Sequence, residues 1–341
     1  MLKIDIHTHI LSEKINEVIN NFTDPRFLKI KSINSNTALL TKDGEPFRTI
    51  TCNCWDHHTR IIECKKSSID IQVLSTLPAL FSYWAEKSEC LILSKFLNNH
   101  ISSVIADYPK KFIGLGTIPM QNADLAIKEM DRCVNDLNFP GIQIGSNING
   151  ENLSEEKFYP IFEHAEKINC SIFIHPWEMM GQINMQKYWL PWLVGMPAET
   201  SRAAASIILG GVLEKFPKLK IAFAHGGGSL PFTIGRLDHG FNVRPDLCAI
   251  NSKILPSNYL KHFYVDSLVH DKEALSFLIN KIGYKQIALG SDYPFPLGEE
   301  LPGELINKMD LSTSIKRRLL SGTAIEWLGI NASDFIKKPS R

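Results

Sequence analysis

The chain has 341 residues, 37 of them basic and 36 acidic, for a formal net charge of +1, with 44% hydrophobic and 21% charged residues. This is the composition of a globular protein with an ample core. The near balance of charge, without a long run of either sign, argues against a nucleic-acid or membrane-surface role resting on bulk electrostatics.

Seven irregularly spaced cysteines are too dilute for a disulfide framework, and Cys52-x-Cys54 has no second pair to complete a zinc ribbon. They read as thiols of a reducing compartment. Asp5 and His7 stand where an export signal needs its apolar segment, and the longest apolar stretch, Ala203–Leu213, is too short to cross a bilayer. The expected location is cytoplasmic.

The first predicted strand is "LKIDI" (2–6), and it runs into "IDIHTHI" (4–10). In an extended strand His7 and His9 point the same way. That pairing makes sense around a cation; the alternative is a strand end emerging into solvent. Next comes an insertion over about residues 14–52, whose segment 27–51 alternates like a hairpin around Asp43-Gly44. It is expected as a small β unit over the mouth of the fold. Asn53, His57 and His58 read as a solvated helix start capped by Asp56.

Seven further apolar segments follow: 69–76, 112–118, 141–145, 171–175, 220–225, 263–267 and 287–292. Near-continuous apolarity is expected of parallel strands buried on both faces. Amphipathic stretches at 124–137, 155–168 and 271–282 are long enough for crossover helices. Eight such units predict an α/β fold of the (β/α)8 TIM-barrel type, with residues 1–341 as one domain. A doubly wound sheet is the alternative, but no G-x-G-x-x-G follows the first strand. A loop rich in Met and Trp is expected at 175–200, after the fifth strand, where barrels keep their binding residues.

His7 and His9 follow strand 1, His175 ends strand 5, His225 ends strand 6 and Asp292 ends strand 8. All five fall on the rim where barrel enzymes hold their active sites, and imidazoles with a carboxylate suit Zn²⁺. Any one of them could be a satisfied structural histidine or an Asp cap. Two assignments remain for the set, because His225 is either a further ligand or a neighbour of the metal. Catalytic zinc sites use few protein ligands and keep a place for water. That favours His7, His9, His175 and Asp292 as ligands, with His225 as a proton-transfer group. Strand 4, "GIQIGSNI", lacks the lysine that bridges two metals in binuclear barrels, so a single metal per subunit is expected.

This H-x-H, His, His, Asp pattern resembles the amidohydrolase superfamily. The stretches "DGEPFRTITCNCWD", "LSTLPALFSYWA", "KYWLPWLVGMPAET", "KFPKLKIAFAHGGGSLPFTIGR" and "LGSDYPFPLGE" are more specific. They resemble the family of 2-amino-3-carboxymuconate-6-semialdehyde decarboxylases, from residue 1 to about residue 330.

The resemblance implies a zinc-dependent, non-oxidative decarboxylation in tryptophan catabolism. In that family the residues matching His7, His9, His175 and Asp292 hold the metal, and the one matching His225 activates the metal-bound water. The resemblance further implies substrate carboxylates gripped by Arg48 and Arg236, a pocket lined by Trp189, and a homodimer in which Arg236 reaches the partner's site. A dicarboxylate substrate suits planar, bidentate cations. Phe295 reads equally as pocket or core. Three rivals stand beside this reading: an aromatic-acid decarboxylase, a hydrolase of an amide or lactone, and a barrel kept only as a binding scaffold.

Overall fold

The structure is a computed structural model that describes residues 1–335. Strand β1 (Ile4–Ile10) is followed by an antiparallel sheet of β2 (Lys29–Asn34), β3 (Thr37–Lys42) and β4 (Glu45–Thr51). The turn between β3 and β4 is Asp43-Gly44, with φ of 55° and 80°. Two positive φ values are the requirement of a tight hairpin that follows the strand twist. The insertion thus contains three strands, one more than the hairpin read from the sequence.

The barrel continues through β5 (Ile71–Thr76), β6 (Phe112–Gly116) and β7 (Gly141–Gly145). A short hairpin of β8 (Asn147–Ile148) and β9 (Glu151–Asn152) intervenes. Then come β10 (Ser171–His175), β11 (Ile221–Phe223), β12 (Tyr264–Asp266) and β13 (Ile287–Ala288). Eight strands lie side by side in the order β1-β5-β6-β7-β10-β11-β12-β13, every adjacent pair parallel. The ring closes from the end of β13 back to β1. Ile6 N donates to Leu289 O at 2.9 Å, His9 N donates to Tyr293 O at 2.8 Å, and Thr8 bridges Tyr293. This is the expected (β/α)8 barrel.

The expected crossover helices lie at Ala123–Asn135, Tyr159–Lys167 and Lys272–Ile282. Asn122 and Asp271 cap the first and last through side-chain oxygens, and Asp56 caps His57–Ser67 by accepting from His58 N and Thr59 N. Such caps satisfy backbone donors that a helix start leaves open. The expected loop at 175–200 is partly wound, because a π-helical turn at Pro191–Gly195 runs into the helix Met196–Leu209.

On β10, alternate residues point inward. Ser171 Oγ donates to Trp327 O at 2.5 Å, the Phe173 ring lies between Trp327 and His7, and His175 stands at the rim. The barrel is therefore plugged at one end by Trp327 and opens at the other on histidines.

Candidate metal centre and active site

His7 and His9 lie within β1 rather than after it. A bulge places them: Asp5 pairs with Gln72 and Thr8 with Leu74, so three steps on β1 match two on β5. The extra residue switches the facing side partway along the strand. As a result Ile4 and Ile6 pack in the inner cluster with Phe173 and Ala222, while the next residue, His7, also turns inward, its ring 5.0 Å from Phe173. Bulges of this kind re-aim side chains next to active sites.

The other candidates come from strand ends. His175 is the last residue of β10. His225 follows β11 with φ of 55° and Asp292 follows β13 with φ of 58°, the left-handed region that few non-glycine residues occupy. Gly290 is a glycine of necessity: a Cβ there would sit 2.6 Å from the Asp266 Cβ and 2.9 Å from the His7 Cβ.

These residues converge. His9 Nε2 lies 3.2 Å from His7 Nε2 and 3.1 Å from Asp292 Oδ1, and His7 Nε2 lies 3.4 Å from the same oxygen. One donor atom each from His7, His175, His225 and Asp292 fall within 4.8 Å of one another, and the His175 ring is 5.0 Å from both His7 and His9.

The outward-facing nitrogens separate the histidines. Nδ1 of His7 meets Asp266 Oδ2 at 2.7 Å, Nδ1 of His9 meets Thr76 O at 3.1 Å, and Nδ1 of His175 meets Pro176 O at 2.9 Å. Each arrangement leaves Nε2 turned to the centre, as in metal-binding histidines steadied through the other ring nitrogen. His225 is different, because its Nδ1 is shielded from water and has no partner. Nε2 of His175 is likewise shielded and unpaired. Buried nitrogens normally find a partner, so the unpaired Nε2 of His175, among the imidazoles of His7 and His9, fits a divalent cation. At the fourth barrel strand the inward position is Gln143, which accepts from Ser75 Oγ at 2.7 Å and donates to Thr76 O at 2.9 Å.

The electrostatics follow from crowding. Burial, joined by the like charges of His9 and His7, lowers the His175 pKa. Burial and the charge of His7 push that of His225 down to about 4. For Asp292 burial acts upward, but the His9 hydrogen bond and the charges of His7 and His9 outweigh it and hold the carboxyl below the usual carboxylate range.

The centre opens into a cleft shared by His9, His175, Asp292, Arg48, Trp189 and Phe295. Arg48, on β4, is half-buried. Its guanidinium carbon lies 4.9 Å from the Phe295 ring and 5.3 Å from that of Trp192, and it makes no ion pair among the described residues. Trp189 is 40% exposed at the rim. Arg236 is not brought into this cleft; it lies exposed on the helix Leu230–Val243.

Four contributors escape the sequence reading. Trp177 and Trp192 line the cleft from the wound loop. Asp266 ends β12 and touches His7; its signal was an acid closing the apolar run "FYVDS". Arg60, fully buried, donates through Nη1 to His9 O at 2.6 Å and to Asn53 O at 3.0 Å and lies over the Tyr293 ring. Nothing in "HHTRII" announces that role.

Comparison with known proteins agrees with this geometry. The amidohydrolase family profile matches residues 4–330. A 2-amino-3-carboxymuconate-6-semialdehyde decarboxylase of Dictyostelium discoideum is 51% identical, covering 98% of this chain and 94% of its own. The Caenorhabditis elegans protein of the same name is 34% identical, over 98% and 96%. Among solved structures, a 5-carboxyvanillate decarboxylase of Novosphingobium aromaticivorans with manganese and a nitrobenzoic acid superposes with a TM-score of 0.80. It is 24% identical over 96% of each chain. A barrel whose strand ends gather histidines and an aspartate, matched along its length by these relatives, places the chain in the amidohydrolase family, within the group of 2-amino-3-carboxymuconate-6-semialdehyde decarboxylases.

Proposed function

We propose that the chain, acting as one barrel domain, decarboxylates 2-amino-3-carboxymuconate 6-semialdehyde without oxidation to 2-aminomuconate 6-semialdehyde. This is a step of tryptophan catabolism by the kynurenine route, and it limits quinolinate formation. The observation that carries the reading is an arginine without an acidic partner among the described residues, Arg48, in the same cleft as the histidine–aspartate cluster. Such a cation waits for a carboxylate, and the substrate named by the relatives has two.

His7, His9, His175 and Asp292 would hold one zinc ion. The three anchored imidazoles and the carboxylate supply four donors, a set that also accepts manganese. When bound, the cation supplies Lewis acidity and lowers the pKa of water at the site. His225, neutral and with a free Nδ1, takes the proton as water adds to the conjugated carbon framework. Addition breaks the conjugation and places a proton on the carbon that bears the departing carboxylate. When that carboxylate leaves as CO2, its electron pair re-forms the double bond as hydroxide departs and is reprotonated by a proton from solvent, so no water is consumed. Asp292 relays a proton beside it. Arg48 grips the carboxylate that stays, which leaves the departing one less firmly held. Trp189, Trp192 and Phe295 narrow access for water.

Arg236 would act in the site of a second subunit. It lies one helical turn from Phe232, which is 82% exposed and packs on Phe277. An exposed apolar pair beside an unused arginine suits a homodimer contact. No described helix is long and apolar enough to cross a membrane, and seven free thiols fit a reducing cytosol.

The test is loss of absorbance of freshly generated aminocarboxymuconate semialdehyde, with and without a chelator, together with metal analysis of the purified protein. Chelator-sensitive decay and one zinc per chain are expected. Unchanged absorbance with metal-replete protein would favour decarboxylation of an aromatic acid, the chemistry named for the manganese-bound neighbour.

A further inference from the structure

Asp266 is fully buried and lies beneath the centre rather than in the cleft. Every group around its carboxylate is a donor. Oδ2 meets His7 Nδ1 at 2.7 Å and accepts from His225 N at 2.9 Å, while Oδ1 accepts from Gly226 N at 2.8 Å and Leu268 N at 3.1 Å. Three of these donors are backbone N–H groups, which cannot change role. The fourth is an imidazole, which can.

We infer that Asp266 is a positioning residue that serves both partners of the proposed chemistry: it fixes the proton of His7 on Nδ1, and it pins the left-handed turn that presents His225. The inference rests on the metal reading of the site and adds to it. With Nδ1–H committed to Oδ2, the Nε2 lone pair of His7 faces the other donors. The turn at His225 and Gly226, with φ of 55° and 62°, has no regular strand pairing to hold it. Its two successive N–H groups close instead on the two oxygens of Asp266. Close approach is enforced from behind, because a Cβ on Gly290 would collide with both Asp266 and His7.

The donor arrangement makes an unusual forecast for Asp266→Asn. The amide group of Asn carries one acceptor oxygen and one NH2. In either orientation the NH2 faces a pair of former donors, and of the four only His7 can adapt. His7 must then accept at Nδ1 and carry its proton on Nε2, which removes the metal-binding lone pair. Asp266→Ala removes all four hydrogen bonds but leaves the His7 tautomer free.

The two substitutions should therefore rank in opposite orders. In metal-free protein, Asp266→Ala should lower the melting temperature more than Asp266→Asn, because it strips three backbone donors of their acceptor. In Co²⁺ titration against a chromophoric chelator, Asp266→Asn should lose more affinity than Asp266→Ala, by about 10- to 100-fold relative to the unsubstituted chain. A folded Asp266→Asn protein that binds Co²⁺ as tightly as the unsubstituted chain, or no worse than Asp266→Ala, overturns the inference while leaving the metal reading intact. An unsubstituted chain that binds no Co²⁺ overturns both. Circular dichroism of each variant identifies any that fails to fold. In that event the apo tautomer, read from nitrogen shifts of ¹⁵N-histidine-labelled unsubstituted chain, decides: the proton of His7 on Nε2 would sink the inference.

Discussion

Arg48→Met isolates the proposed grip on substrate. The guanidinium stacks against Phe295 and Trp192 and makes no ion pair with a described carboxylate, so its removal leaves no protein anion stranded. What is lost is the contact to the substrate carboxylate. A hydrogen bond to a charged group contributes about 1.5–3 kcal/mol net, and about 1.4 kcal/mol is a factor of ten. The Michaelis constant should therefore rise about 10- to 150-fold. Because the contact exists before and during the reaction, kcat should change much less. Arg48→Lys keeps the charge but not the planar fork or the stacking, and should fall between. Steady-state decay of the substrate chromophore, with metal content and melting temperature as controls, reads the effect. A Michaelis constant within twofold of the unsubstituted chain, with metal content unchanged, would refute the assignment.

His225→Gln should keep its metal content yet lose about 10²–10⁴-fold in kcat, the usual contribution of a general base; substantial residual turnover would move the proton transfer elsewhere. Phe232→Asp should convert a dimer to monomers in light scattering and abolish activity along with assembly, whereas fully active monomers would remove Arg236 from the site. Burial raises the Glu299 pKa from 4.5 to about 7. A raised carboxyl pKa means that the folded state binds the proton more tightly, so this contribution is complete below about pH 4.5 and is lost as pH rises through about 7. Glu299→Gln should flatten the fall in melting temperature across that window, and an unchanged slope would exclude Glu299 as its source.

The barrel was legible because its strands are buried on both faces and so read as short apolar runs. The site was legible through residue type at strand ends: an imidazole closing "SIFIH" or following "IAFA" stands out where hydrophobic residues are expected. Other features depend on geometry that parity cannot supply. Strict alternation puts His7 opposite Ile6, and only the bulge between Asp5 and Thr8 turns both inward. Asp266 was hidden by its ordinariness, an acid at a strand end, until its four donors were located in space. Trp192 reaches the cleft from a π-helical turn over residues 191–195, which proline and glycine at its ends do not foretell. Arg236 shows the remaining boundary: it lies exposed outside the cleft, and a role in another subunit would leave no geometry within its own.

The closure of the ring between its first and last strands has a consequence for how the protein matures. Ser291 and Asp5, which bond across that seam, stand 286 positions apart, and contacts so remote in sequence form late. A ribosome must release nearly the whole polypeptide before the seam can close and set His7 and His9 beside Asp292. A cation held by His7 and His9 on one side of the seam and by Asp292 on the other would act as a rivet. Metal loading would then slow the parting of the first and last strands.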